Sequence, residues 1–341
     1  MSEVWGKVGQ LGALLAALLL VSMVFVPAVS AQGNENISKD KRLEEILKQL
    51  PPNPNRPEPK YLIDAEEMAL VDELEKKMTE EEAKQIVSNI PELKPGEKLL
   101  LTPEQRAAAQ KIMNKEASKL DRKPPSPLAC SSSSVESVLT ATSTCYSSTD
   151  YYRHAMIATN NKYAGANNIM SGYLPILTNA THHTLMALWF VDRGTNQWAE
   201  LGMQRATYRT TNNIYTYLYD SDEGGYRLYK TVGSGTQVYF EIIVLSGNKY
   251  IAWIDDTIID LGLHVTTTYN EVDMGGEQYD SNKYFAIGDI GNVYNPQLLQ
   301  NTGYIYWGSS VPSNLNSVWC PMRMDVWDTS QGYRVHVYSQ N

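Results

Sequence analysis

Three short stretches of this chain carry side chains suited to acid–base chemistry on one face of an extended strand. Side chains alternate between faces along a strand. In 198–204, Ala199, Leu201 and Met203 make an apolar face, which leaves Trp198, Glu200, Gly202 and Gln204 on the other. In 269–279, Val272 and Met274 read as core. Glu271, Asp273, Gly275, Glu277 and Tyr279 then share the opposite face, provided no bulge intervenes. In 214–219, Ile214, Thr216 and Leu218 alternate with Tyr215, Tyr217 and Tyr219. If these strands are neighbours, they form an aromatic-walled groove floored by acids.

Two carboxyls held close together cannot both ionise cheaply, so one keeps its proton while the other acts as a base. Such a pair can activate water against a peptide bond. It can equally flank a glycosidic bond as acid and nucleophile or base. Gln204, with Tyr215 or Tyr217, is a candidate to steady an oxyanion. Trp198 and Asp273 are candidates to hold substrate. The competing reading is that Glu200, Glu271 and Asp273 are solvated residues on half-exposed strands. Gly275-Gly276 beside Glu277 weighs against it, because glycine within a strand marks a bulge or a close backbone approach.

Other polar groups read as structural. His182 and His183 are adjacent and face opposite ways on a strand. Asp255-Asp256 reads as a solvated corner, and Asp220, Asp222 and Glu223 lack the EF-hand spacing. Gly233-Ser-Gly235 is a strand turn with no helix after it. The five histidines form no HExxH, and the three cysteines form no CxxC. The expectation is therefore no metal and no cofactor. A net charge of −9 offers no basic footprint for nucleic acid.

The elements that must position these groups separate by composition. Leu11 to Val26 is an apolar run after Lys7, closed by Pro27, with small residues at Val29-Ser30-Ala31. Residues 1–31 therefore read as a signal peptide cleaved after Ala31. Secretion and no stable membrane insertion are the expectations that follow. Outside the cytoplasm two of Cys130, Cys145 and Cys320 can pair.

Residues 32–128 hold 17 Lys+Arg and 19 Asp+Glu in 97 positions, against 11 and 18 in the 213 positions of 129–341. Tyr61 is the lone tyrosine before that boundary and the other 21 follow it. Two kinds of structure are specified.

The first reads as a helical prosegment, 32–120. One helix runs from Asp40 to Leu50, stopped by Pro51-Pro52. A second starts near Asp64. Thr79 with Glu82 forms a capping box, and Thr102 with Pro103 and Gln105 starts a third helix running to about Leu120. The apolar stripes are thin, so these helices need a partner surface. A Pro/Ser-rich linker, 121–137, follows.

The rest, 138–341, is all-β. Candidate strands are 154–159, 166–174, 184–192, 197–208, 213–220, 226–231, 236–246, 249–255, 266–280, 284–288, 303–307, 321–328 and 333–339. Gly247-Asn248 makes a hairpin turn. So many strands without intervening helices predict a two-sheet antiparallel β-sandwich of the jelly-roll kind.

Several stretches of the β part resemble the neprosin family, secreted glutamic peptidases with a helical activation segment before a β-sandwich. Arg153-His-Ala-Met-Ile-Ala-Thr-Asn-Asn and Tyr163-Ala-Gly-Ala166 are similar to its opening strand and Tyr-x-Gly-Ala step. Trp198-Ala-Glu-Leu-Gly202 is similar to its Glu-x-Gly-Trp strand. Tyr208 and Ile214-Tyr-Thr-Tyr-Leu-Tyr-Asp220 follow in the same order, and Met274-Gly-Gly-Glu-Gln278 looks like its Gly-Gly-Glu motif. The resemblance spans roughly residues 153–290 and puts the family's two catalytic glutamates on Glu200 and Glu277. Met203 stands where the family has Trp, the family's cysteine-bearing loop after the aromatic strand is absent, and its glycine-rich segment is only echoed by Ile287-Gly-Asp-Ile-Gly291.

The resemblance implies a secreted acid endopeptidase that cleaves polypeptides, after proline in the family's manner. It also implies that the prosegment acts as an intramolecular inhibitor. The alternatives from the residues alone are a jelly-roll glycoside hydrolase and a non-catalytic carbohydrate-binding or surface module.

Overall fold

The computed structural model has four α-helices and seventeen strands among its described residues. It describes residues 28–117, 151–159, 163–175, 183–192, 194–195, 197–206, 213–264, 271–279, 288–314 and 322–339. The apolar leader run, the linker 121–137 and all three cysteines lie outside the described residues. The chain divides into two compact units, 1–51 and 52–341.

The first unit is described through helix α1, Ala28–Gln49. This helix starts well ahead of the expected Asp40. Between Pro27 and Pro51 only Gly33 opposes a helix, at a cost of about 1 kcal/mol.

The second unit opens with β1 (Tyr61–Asp64), α2 (Ala65–Lys77), α3 (Glu80–Ser88), β2 (Lys98–Leu100) and α4 (Pro103–Ala117). The helix starts fall where capping chemistry requires them. Asp64 accepts the Glu67 amide at 2.9 Å. Thr79 and Glu82 close a reciprocal capping box, and Thr102 with Gln105 does the same at the start of α4.

The β part begins with β3 (Tyr151–Thr159), β4 (Gly165–Gly172), β5 (His183–Asp192), β6 (Gln197–Ala206), β7 (Ile214–Asp220) and β8 (Tyr226–Val232). It continues with β9 (Gln237–Val244), β10 (Tyr250–Ile254), β11 (Thr257–Asp260), β12 (Glu271–Tyr279) and β13 (Gly288–Gln300). The last strands are β14 (Gly303–Tyr306), β15 (Ser313–Asn314), β16 (Met322–Thr329) and β17 (Gly332–Ser339).

These strands form two sheets. Sheet I has nine strands in the order β1-β11-β10-β9-β4-β13-β17-β16, with β14 also on β13. Sheet II has eight, in the order β15-β3-β12-β5-β6-β7-β8-β2. All pairings are antiparallel except β1 with β11. The all-β sandwich read from the strand pattern is the fold observed. The inner faces meet in one apolar core, with Leu188, Phe190, Leu201, Val272 and Met274 from sheet II against Phe240, Ile242, Ala252, Leu298 and Val335 from sheet I.

The segment before residue 118 is more than helical. It adds β1 to one sheet and β2 to the other. Helices α3 and α4 lie on the outer face of sheet II. Ala83, Val87, Ile90, Ala108, Ala109, Ile112 and Met113 pack there against Leu185, Ala187, Trp189, Trp198, Tyr215, Tyr217 and Tyr219. This is the partner surface that thinly striped helices need.

Candidate functional site

The outer face of sheet II collects the chemistry-bearing side chains. Strand β12 runs beside β5 in unbroken register from Glu271 to Tyr279, so no bulge disturbs its alternation. Cross-strand pairing through β5, β6 and β7 then sets three rows. Asp273, Trp189, Glu200 and Tyr219 form the first. Gly275, Ala187, Gly202 and Tyr217 form the second, and Glu277, Leu185, Gln204 and Tyr215 the third.

The middle row runs glycine, alanine, glycine before Tyr217, so the face has a trough across β12, β5 and β6. One wall carries Asp273 and Glu200, and the other carries Glu277 and Gln204. The walls are four residues apart along the strands, or about 14 Å of backbone, and each in-register polar pair is two strands apart, about 10 Å. Glu200 and Glu277 thus stand at diagonal corners of the trough, about 17 Å apart at the backbone. Asp273 is the row partner of Glu200, and Gln204 that of Glu277.

Gly202 is required in the floor. A Cβ there would stand 2.2 Å from the Met186 carbonyl oxygen and 2.9 Å from the Ala187 Cβ. No side chain fits unless β5 and β6 separate.

Each glutamate has a polar partner. The Tyr217 hydroxyl donates to Glu200 Oε1. Nε2 of His183 lies 3.1 Å from Glu277 Oε1. The sequence reading took His183 as structural. Alternation along β5 puts it on the same face as Leu185, and therefore beside Glu277. Gln204 lies under α4, with its Nε2 3.8 Å from the Met113 sulfur. Its Oε1 is buried without a hydrogen-bond partner. Trp198 stacks on Tyr219 at 5.7 Å, and Tyr217 meets Tyr226 edge-on at 5.2 Å. Aromatic rings thus lie along the face, but the acids expected on the groove's floor stand on its walls, and the floor is glycine and alanine.

The competing reading of Glu200, Glu271 and Asp273 as solvated residues does not hold, since all three are buried. Glu200, Asp273 and Glu277 are each 0% exposed, and α3 and α4 cover the neighbouring strands β5 to β8. The Asp255-Asp256 corner is likewise more than a solvated turn. Lys98 of β2 contacts both Asp255 oxygens at 2.9 Å, and Lys230 bonds Asp256. Asp220 is held by the Tyr250 hydroxyl at 2.6 Å, and its burial raises its pKa above the ordinary aspartate range.

Among the described residues no group of three or more His, Cys, Asp or Glu is arranged to hold a metal ion. Among the same residues no helix is long and apolar enough to cross a membrane.

No protein-family model matches the chain, and no curated protein matches it. Solved structures with a similar course of chain include scytalido-glutamic peptidase bound to a peptide-based transition-state analogue. It is 9% identical, with 57% of this chain and 99% of that chain covered and a TM-score of 0.37. SCP-B, a member of the eqolisin family of peptidases in complex with the tripeptide Ala-Ile-His, is 7% identical over 57% and 99%, with a TM-score of 0.35. The Bacillus licheniformis beta-glucanase is 10% identical over 53% and 68%, with a TM-score of 0.24.

Proposed function

We propose that this chain is a secreted glutamic-type endopeptidase made as a latent precursor, with Glu200 and Glu277 as its catalytic pair. The observation that carries the reading is the trough of sheet II. Two buried glutamates stand on its opposite walls, Tyr217 bonds one and His183 contacts the other, and a glycine–alanine–glycine floor runs between them. An extended peptide laid along that floor would present its backbone to both walls. One glutamate, ionised, takes a proton from water as the water attacks the carbonyl carbon. The other, protonated, donates to the carbonyl oxygen or the leaving amine. Gln204 is the candidate donor to the developing oxyanion, having a side-chain amide in the row of Glu277. Trp198, Tyr215, Tyr217 and Asp273 line or flank the substrate path. Cleavage after proline is the specificity that the neprosin resemblance suggests.

Latency follows from the roof. While α3 and α4 pack on the face, no substrate reaches acids that are fully buried. The segment 32–120 is therefore proposed as an intramolecular inhibitor that must lift for activity. Burial also counts against a surface module that presents its acids to open solvent.

The test is hydrolysis of denatured casein by the purified chain across pH 2–8, with a soluble β-glucan alongside. Casein should be cut at acid pH, and Glu200→Gln and Glu277→Gln should each abolish cutting while the circular dichroism spectrum is kept. Full activity in either variant sinks the pair. Hydrolysis of the glucan in place of casein replaces the peptidase with a glycanase.

A further inference from the structure

Sheet I carries a second polar face, on the side away from the core. Trp253, Glu241, Asn167, Gln297 and Tyr306 stand in one cross-strand row over β10, β9, β4, β13 and β14. Their chain neighbours Phe240, Ile242, Ala252 and Leu298 point into the core, so this row points outward. It is nevertheless buried at Glu241, Asn167 and Gln297.

The chain's own Asn53-Pro-Asn-Arg56 sits on the row. The Arg56 guanidinium grips Glu241 with both arms, Nε to Oε2 at 2.6 Å and Nη2 to Oε1 at 3.0 Å. Nη2 also donates to the Tyr304 hydroxyl at 3.0 Å. The same group lies over two rings, 5.2 Å from the Trp253 centroid and 5.9 Å from that of Tyr304. Asn53 donates to the Tyr239 hydroxyl at 3.0 Å, and Asn55 to the Tyr306 hydroxyl at 3.3 Å. Pro52, Pro54, Pro57 and Pro59 punctuate the segment and favour an extended chain.

Burying an ion pair is a poor way to gain stability, because desolvation offsets most of the attraction. A fork-to-carboxylate pair between aromatic rings is instead the arrangement that recognises a planar guanidinium. Two buried groups in the same row extend the pattern. Asn167 Nδ2 and Gln297 Oε1 have no hydrogen-bond partner, and so leave one donor and one acceptor. Burial would lower the Arg56 pKa, but the bonds and charge of Glu241 prevail and raise it, so the guanidinium stays charged.

We propose that this outer face of sheet I is a peptide-binding site for an extended, proline-flanked arginine segment. It is filled in cis by Asn53–Arg56 and opens to such a segment of another polypeptide when residues 52–64 lift. The proposal goes beyond the peptidase reading. Its readout is binding, so it fails or stands separately from catalysis.

The test uses the full-length chain with Arg56→Ala and a synthetic heptapeptide, Pro-Asn-Pro-Asn-Arg-Pro-Glu. The peptide should bind saturably by calorimetry and raise the variant's melting temperature by several degrees. The same peptide with citrulline for arginine should bind at least tenfold more weakly, and adding Glu241→Gln to the variant should remove binding. Methylguanidinium alone should also raise the melting temperature of the variant but not that of the wild type. If Arg56→Ala does not fold, Arg56→Lys keeps the charge, loses the fork and carries the same measurements. Equal binding of the citrulline peptide, binding unaffected by Glu241→Gln, or no saturable binding in the folded variant overturns the proposal.

Discussion

Truncating one side chain in the roof should open the trough without unfolding the sandwich. Met113 is fully buried on α4, with its sulfur over Gln204 and Ile112 beside it in the same apolar cluster. Met113→Ala removes that contact, and large-to-small changes at such sites cost about 2–5 kcal/mol. If α3 and α4 lift as a unit, the loss falls on the opening equilibrium. At about 1.4 kcal/mol per tenfold, the open fraction rises roughly 30-fold to several thousand-fold.

Limited proteolysis in native buffer reads this directly, with cuts within 103–117 located by mass spectrometry. Met274→Ala is the control, because Met274 is equally buried but lies in the core between the sheets. It should lower the melting temperature without selective cutting in α4. The reasoning is refuted if Met113→Ala speeds cleavage in α4 no more than the control does at matched global stability. The helices would then be part of the sandwich and not a roof on it.

Three further outcomes are expected. Gly202→Ala should lower the stability by about 1–3 kcal/mol or more, read from the urea midpoint, because its Cβ would meet the Met186 carbonyl at 2.2 Å. A midpoint equal to wild type removes the close approach of β5 and β6. Burial would raise the Asp256 pKa, but the bond and charge of Lys230 prevail and hold it below the ordinary range. Its contribution is therefore complete above about pH 4 and is lost as pH falls through the lowered folded value. Asp256→Asn should flatten the fall in melting temperature below pH 4, and an unchanged slope refutes this. Finally, acidified precursor should acquire a new amino terminus between Pro125 and Ser131 while the Glu277→Gln precursor stays intact. A cut at the same bond in the variant assigns processing to another protease.

Period-two patterning made much of the sandwich legible, because apolar and polar residues alternate in β6 and β12 and large residues alternate in β7, while β5 reads as an unbroken apolar run. The missed strands are those in which that signal is weak. Strand β13, Gly288–Gln300, carries two glycines, three asparagines or aspartates near its start, and Pro296, and so reads as loop. It holds a central place because Pro296 falls where the register against β4 shifts, after Asn295 with φ 51. A bulge is where a strand tolerates proline. Strands β1, β2, β11 and β15 are only two to four residues long, and they pair with partners distant in sequence or with a hairpin neighbour too short to show a period. In the site, alternation placed Glu200, Gln204, Asp273 and Glu277 on one face of their strands. It could not show that α3 and α4 would bury that face, since helix docking depends on contacts more than seventy residues apart. His183 was within reach of the same alternation that found Glu277.

The charges between the two parts run in the opposite sense to that suggested by the segment's composition. With 19 acids in 32–128, the segment would be expected to supply carboxylates to a basic partner. Instead Arg56, Lys60 and Lys98 of the segment meet Glu241, Asp256 and Asp255 of the β part, while Asp72 of the segment meets Arg227 there. The carboxylates of these pairs therefore belong chiefly to the sandwich and not to the segment. The segment also supplies the edge strands β1 and β2, so its departure exposes the pairing edges of β11 and β8, a state that proteins normally blunt or cover. Cutting the chain after residue 117 would leave all of these contacts in place. Under the proposed processing, cleavage and release would then be separate steps, the second opposed by the ion pairs, the edge strands and the apolar roof together.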